Sequence, residues 1–288
     1  MVVSSNSKKD EGLERQKLVV KVIIPVYRSS ISSLEELSLL SIRRHIPAQI
    51  LSFIVPESLD ISGVLRPGES VEFFPDNFFD GIEGYNRLMT STGLYERFEQ
   101  YSHLLICQLD CLIFSNELEY WAAQDYDYIA APWFRRFEDN PTEGLWRVGN
   151  GGFSLRNIHS HLRVLKRLVI RGSIYPTHGK TPWEPTDATA ELGSYEKLYP
   201  LYQKLNPLLD WITLEEELKS YPFNEDLFWS LEAPKHDSQF RVASAEVALP
   251  FAFEMSPSWC FENNNNKLPF GCHAWARYDR AFWEQYLF

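Results

Sequence analysis

Apolar residues fall along this chain in short runs separated by polar, helix-patterned stretches. Residues 18–27 (LVVKVIIPVY) form a nearly continuous β-branched run, the pattern of a strand buried on both faces of a parallel sheet, and Pro25 ends it. Ser32 and Ser33 then precede Glu35 and Glu36. The stretch LEELSLLSIRRHI has helical apolar spacing, with acids early and Arg43 and Arg44 late, as the helix dipole favours. Strands are predicted at 50–55 and 71–74, a helical connection over 81–100, and a strand over 103–114 (HLLICQLDCLIF) whose one defect is Asp110. Residues 126–132 (YDYIAAP) read as a short strand, 146–156 (WRVGNGGFSLR) as a glycine-rich turn leading into a strand, and 159–172 as an amphipathic helix. From 173 to about 221 the composition turns to Pro, Tyr, Trp and mixed charge, which predicts loops and short helices over the sheet. Strand, helix, strand at this spacing is the βαβ unit; its right-handed crossover builds a doubly wound sheet with ligand sites at the carboxyl ends of the strands. The expectation is one α/β domain with a mixed, mostly parallel central sheet flanked by helices. It spans residues 18–288 behind a polar, flexible tail of 1–17, with 18–114 as a nucleotide-binding half.

Composition narrows the classes. The 288 residues are 44% hydrophobic, enough for one large core. A net charge of −11 argues against nucleic acid, because a phosphate-tracking surface needs surplus Lys and Arg. It also means that an anionic nucleotide ligand must be held by a few placed cations, backbone N–H groups or a divalent metal. The N-terminus has no apolar core of signal-peptide length and no segment is apolar long enough to span a bilayer, so a soluble protein is expected. Cys107, Cys111, Cys260 and Cys272 sit in or beside apolar stretches without CxxC spacing. Reduced thiols of a cytoplasmic protein follow.

Four places carry chemistry. Asp110 is an acid within a buried run, costly unless paired; a metal is one partner, loop N–H groups another. The segment 146–154 puts Gly149, Gly151 and Gly152 within four positions, so the backbone can approach a ligand closely or simply form a tight hairpin. Asn150 there adds an amide suited to sugar hydroxyls. Asn224, Glu225 and Asp226 place two carboxylates at the start of a helical turn, either as a cap or as a base and its neighbour. His273, in PFGCHAW, is either a satisfied core histidine or a metal ligand beside carboxylates.

The order QLD, GNGG, NED and GCH resembles inverting, metal-dependent GT-A glycosyltransferases of the β-1,4-galactosyltransferase and β-1,3-glycosyltransferase groups. The stretches QLDCLIF, ELEYWAAQDYDYIAAPW and VGNGGFSLR are similar to a glycosyltransferase-like family, domain of unknown function 5672. The resemblance implies a GT-A, Rossmann-like fold and a nucleotide-diphosphate sugar donor, a UDP-sugar first. It also implies a glycan or other hydroxyl acceptor and Mn2+ or Mg2+. By the same resemblance Asp110 and His273 bind the metal, and Gln108, which stands where the first acid of the motif usually does but carries no charge, contacts the nucleotide or ribose of the donor rather than acting as a strong metal ligand. Pro25, Val26 and Tyr27 receive the nucleoside, Arg87 the diphosphate, and Asn150, Gly151 and Gly152 border the sugar. Asp226 is the catalytic base with Glu225 beside it, and residues 115–288 form the acceptor half, with Trp183 and Tyr195 as stacking faces.

Two rivals stay open. A nucleotidyltransferase shares the sheet and the acid-bound metal but opens with a glycine- and lysine-rich loop, whereas this chain has PVYRSSISS. A non-catalytic carbohydrate-binding domain would use the nine tryptophans and fourteen tyrosines without needing Asp110, Asp226 and His273 to converge.

Overall fold

The strongest strand signal in the chain occupies the middle of the sheet. In the computed structural model, which describes residues 18–135, 141, 143–172 and 210–287, β1 (Val20–Pro25) is buried at every position. Helix α1 (Ser33–His45) follows, started by a capping box in which Ser32 and Glu35 satisfy each other's backbone N–H groups. It returns the chain to β2 (Leu51–Pro56), parallel to β1, and β3 (Ser70–Phe74) adds in parallel outside β2. The predicted helix over 81–100 is two: α2 (Gly81–Met89) and α3 (Thr92–Arg97). The break has a local cause, since the Ser91 side chain accepts the Leu94 N–H and so begins a new helix.

The predicted strand over 103–114 also divides. β4 (His103–Cys107) runs parallel to β1 on the side away from β2, the chain turns at 108–111, and β5 (Leu112–Ile113) joins a different sheet. Apolar continuity hid this turn, because both pieces are buried. After α4 (Leu118–Ala122) come β6 (Tyr128–Ala130), β7 (Pro132–Phe134), β8 (Leu145–Val148) and β9 (Phe153–Asn157). The glycine segment is not a hairpin: β8 pairs with β7, whereas β9 pairs antiparallel with β4 and β6. The central sheet therefore has six strands in the order β3-β2-β1-β4-β9-β6, a mixed, mostly parallel α/β sheet.

Helix α5 (Ile158–Leu165) ends before the predicted boundary, and β10 (Leu168–Ile170) pairs with β11 (Trp211–Thr213). Then come α6 (Leu214–Leu218), the single turn α7 (Glu225–Leu227), a π-helical segment (Phe228–Glu232) and α8 (Ala233–His236). A small sheet closes the fold: β12 (Ala252–Phe253) lies parallel to β13 (Gly271–Cys272), which pairs antiparallel with β5. This sheet matters for the site, because it brings the residues after β12 and β13 beside the turn after β4. All four cysteines are free and buried, and no helix among the described residues is long and apolar enough to cross a membrane.

Candidate functional site

In a doubly wound sheet the chain leaves the first strand in two opposite directions, and the carboxyl ends diverge there to form a crevice. Here the switch lies between β1 and β4. A cleft of about 430 Å³ opens at that point, lined by Pro25 at the end of β1 and Tyr27 beyond it, Phe78, Ile82 and Tyr85 around α2, and Gln108 and Asp110 after β4. Tyr27 is 61% and Ile82 72% exposed, so large apolar faces border it without a covering partner among the described residues. A larger cavity of about 620 Å³ between α1 and residues 285–287 holds none of these groups, so size alone does not select the site.

At the cleft floor, two separate sheets meet. His273 follows β13 and its backbone N–H is held by the Phe253 carbonyl at 3.0 Å. Its Nε2 lies 3.3 Å from Asp110 Oδ1 and 3.2 Å from Gln108 Oε1, while Nδ1 lies 3.0 Å from Glu254 Oε1, just past β12. Burial opposes charge on His273, but Asp110 and Glu254 outweigh it and raise the imidazole pKa to about 10. Burial likewise opposes the Asp110 carboxylate, yet the hydrogen bond and charge of His273 hold its pKa below the ordinary value. Gly152 makes this approach possible: a Cβ there would sit 2.2 Å from His273 Nε2 and 2.7 Å from Gln108 Oε1.

The neighbouring glycine serves the other half of the site. A Cβ on Gly151 would lie 1.9 Å from Glu225 Oε1. Glu225, 2% exposed, pairs through Oε1 with Nη2 of the fully buried Arg156 at 2.9 Å. Asp226, next along α7, is only partly buried. Burial, then the charges of Glu225 and Glu254, raise its pKa to about 7. Asn150 holds φ at +137°, a conformation rare outside glycine; its Oδ1 accepts the Gly152 N–H, and its buried Nδ2 has no partner among the described residues.

The sequence-predicted residues thus divide. Pro25, Tyr27, Gln108 and Asp110 line one cleft, His273 touches the last two, Gly152 borders His273 and Gln108, and Gly151 borders the Glu225 carboxylate. The Val26 side chain is fully buried and its N–H bonds the Ile54 carbonyl, so at most its backbone faces a ligand. Arg87 is turned away: it pairs with Glu83 at 2.7 Å and the Asn77 carbonyl at 3.0 Å, outside the cleft lining. Trp183 and Tyr195 lie outside the described residues.

Four residues went unread in the sequence. Glu254, in FAFEM, is an acid in an apolar run and carries the same signal as Asp110. Arg156, in FSLRN, is a cation inside a strand pattern. Arg28 pairs with the cleft residue Glu35 at 2.5 Å. Tyr85, whose hydroxyl donates to the Gly151 carbonyl at 3.2 Å, had no local signal at all.

A metal would have to fit the cluster after β4, and the donor set is suitable. Asp110 Oδ1 is buried and lacks a well-formed hydrogen bond; it faces the imidazole Nε2 of His273, which in turn faces the Gln108 amide oxygen, each at ligand-to-ligand spacing. Carboxylate, carbonyl and imidazole donors suit Mn2+ or Mg2+. Glu254 on Nδ1 fixes the ring so that Nε2 faces inward, the usual arrangement behind a ligating histidine. The Cys111 Sγ also falls within 4.8 Å of the Asp110 and His273 ligand atoms, but burial raises its thiol pKa and it donates to the Gly152 carbonyl at 3.3 Å, so it is a poor ligand for a hard ion.

Fold and site together define a doubly wound α/β protein with an acid–imidazole cluster at its switch point. The chain belongs to DUF5672, a family of proteins of unknown function, whose pattern matches residues 69–273. No curated protein matches its sequence. Solved structures that resemble it include the apo form of the glycosyltransferase GlyE of Streptococcus pneumoniae TIGR4, at 12% identity and a TM-score of 0.42. That match covers 94% of this chain and 60% of GlyE, so the chain spans less than two thirds of that protein. Mouse xyloside xylosyltransferase 1, also apo, matches at 13% identity and a TM-score of 0.44, over 88% of this chain and 97% of that one.

Proposed function

We propose that the protein is a glycosyltransferase that moves a sugar from a nucleoside diphosphate donor to an acceptor hydroxyl, with a divalent metal and inversion at the anomeric carbon. The observation that carries this reading is the meeting of Gln108, Asp110, His273 and Glu254 at the floor of an aromatic-walled cleft at the sheet's switch point. A carbohydrate-binding domain has no use for such convergence. A nucleotidyltransferase is disfavoured because the segment joining β1 to α1 contains no glycine to cradle a triphosphate.

In this reading the cleft beside Tyr27, Phe78 and Ile82 takes the nucleoside by stacking and apolar contact. Asp110, His273 and Gln108 hold the metal, which when bound offsets charge on the departing diphosphate. Asn150 and the Gly151–Gly152 backbone border the sugar. Asp226 takes the proton of the attacking hydroxyl, and a carboxyl with a pKa of about 7 is matched to that task at neutral pH.

The test is a thermal-shift screen of nucleoside diphosphates with and without Mn2+. A ligand that binds only the native state raises its melting temperature. Stabilisation by one nucleoside diphosphate that requires the metal and disappears in Asp110→Asn is the expected result. No stabilisation by any of them, with metal present, refutes the reading.

A further inference from the structure

Glu225 and Asp226 are adjacent carboxylates, and a sequence cannot say which meets the substrate. The structure treats them very differently. Glu225 is sealed. Its backbone N–H donates to Asn86 Oδ1 of α2 at 3.2 Å, its Oε1 accepts from Arg156, and its Oε2 is buried without a partner among the described residues. Gly151 lies against the same carboxylate, so no acceptor can reach it without displacing the loop before β9.

Arg156 is equally committed. It stands on β9 between Leu104 of β4 and Tyr128 of β6, with no exposure, where an unpaired guanidinium would be very costly. Its Nε donates to Ser154 Oγ at 2.9 Å, Nη1 to the Tyr95 hydroxyl at 3.1 Å and Nη2 to Glu225 at 2.9 Å, while its Cζ lies 5.5 Å from the centroid of the Tyr128 ring. The central sheet, α3 and α7 are thereby tied to one cation. The α7 turn opens a continuous helical stretch that runs on through the π-helical segment into α8, and the side chain of Asn224 makes no cap bond at its start, so the orientation of this first turn is set by the tie to Arg156.

Successive side chains on a helical turn diverge by roughly 100°. With Glu225 fixed inward, Asp226 lies on another side of the turn, partly buried, its Oδ1 accepting the Leu227 N–H at 2.8 Å and its carboxylate within reach of the Glu254 charge. We propose that the buried Arg156–Glu225 pair is a positioning device that aims Asp226 at the acceptor hydroxyl, and that Glu225 itself exchanges no proton. The inference rests on the transferase reading only for the word acceptor; the aiming of Asp226 stands on the geometry. The charged and titratable groups around Asp226 are Glu225 on its own turn, Glu254 after β12, Arg156 on β9, Tyr128 on β6 and Tyr221 after α6.

Glu225→Gln is the test, being isosteric and still able to accept from Arg156. The first readout needs no activity: carbonyl-labelled aspartate followed by NMR, with Asp226 assigned through Asp226→Asn. The Asp226 midpoint should lie near pH 7 in the parent protein and move to lower pH in Glu225→Gln, because one adjacent negative charge is gone. The second readout is transfer. Glu225→Gln should lower kcat by about tenfold to a hundredfold, the loss expected of a misaimed group, with donor KM within about threefold. Its acidic limb should persist, moved to lower pH, whereas Asp226→Asn removes it. An unmoved Asp226 midpoint overturns the inference, as does a Glu225→Gln protein that matches Asp226→Asn in both kcat and loss of the limb. A folded parent that transfers no sugar leaves the NMR arm to decide, and then only the transferase reading falls. Arg156→Lys, which keeps the charge and loses the fork, should reproduce the kcat loss in part; wild-type turnover there also counts against the pair.

Discussion

Gly152→Ala isolates the cluster after β4 with a single methyl group. The added Cβ would stand 2.2 Å from His273 Nε2 and 2.7 Å from Gln108 Oε1. Non-bonded heavy atoms rest about 3.5 Å apart, so the imidazole must retreat by roughly 1 Å. It cannot do so freely, because Glu254 holds Nδ1 and the Phe253 carbonyl holds the backbone N–H. Metal–ligand distances tolerate only about 0.2 Å, and disturbing the support of a ligating histidine costs roughly tenfold to a hundredfold in affinity. We therefore expect Mn2+ affinity to fall by at least about tenfold. Overpacking should cost about 1–3 kcal/mol of stability, or roughly 2–4 °C of melting temperature per kcal/mol in a chain of this size. Mn2+ titration followed by electron paramagnetic resonance, with thermal melts in parallel, reads both. Gly149→Ala is the control, since its Cβ would meet the Trp133 ring at 1.9 Å; it should lose stability with little loss of metal affinity. A folded Gly152→Ala protein that binds Mn2+ within about twofold of the parent would show that Gln108 and His273 do not hold the ion, against the geometric argument.

His273, Asp226 and Glu254 each give further outcomes from the same geometry. The His273 pKa of about 10 lies above the ordinary value of 6.5, so its stabilising contribution to the metal-free protein is complete below pH 6.5 and lost as pH rises through 10. Metal must displace that proton, so Mn2+ affinity measured by calorimetry should rise about tenfold per pH unit from pH 7 to 9, a slope that His273→Gln abolishes. Asp226→Asn should lower kcat by about a hundredfold to ten-thousandfold while leaving donor affinity nearly unchanged. Because the folded pKa of Asp226 is raised from 3.8 to about 7, stability is lost as pH rises between those values and the full penalty is present above 7, so Asp226→Asn should also melt at a higher temperature than the parent at pH 8. Glu254→Gln should weaken Mn2+ binding by about tenfold to a hundredfold and lower the His273 midpoint, and an unchanged value of either would remove Glu254 from behind the ring.

What the sequence could disclose depended on whether a signal is local. The parallel core was legible because β1 and β2 are buried on both faces and so are written as unbroken apolar runs. Asp110 was legible for the opposite reason, as a charge in such a run. The break between β4 and β5 was not, because a buried turn keeps apolar side chains on both sides of it and only its pairing with β13 reveals the change of sheet. Arg87 misled because a guanidinium near a phosphate site and one closing an i,i+4 pair with Glu83 look the same in one dimension. Glu254 and Arg156 were missed because each takes its meaning from a residue more than fifteen positions away: His273 for the first, Glu225 for the second.

The distribution of charge links these distant pairs. Glu225 neutralises Arg156 inside the core, and His273 is shared between Asp110 and Glu254, so the buried cations of the site are already matched by carboxylates. Asp226 is left over, and burial together with the charges of Glu225 and Glu254 raises its pKa. In the cleft the Arg28 charge is engaged by Glu35, while Arg277 is exposed and acts on Asp110 from a distance. A diphosphate entering a chain of net charge −11 thus finds few cations free to receive it among the described residues of the cleft. A divalent ion held by Asp110 and His273 would reverse the sign of the field at the cleft floor at the cost of one displaced proton, and it would lie beside the carboxyl ends of β1 and β4, where this sheet opens to a ligand. The same arithmetic requires Asp226 to stay off the metal: a carboxylate bound to a cation would have its pKa driven far below 7 and could no longer take a proton.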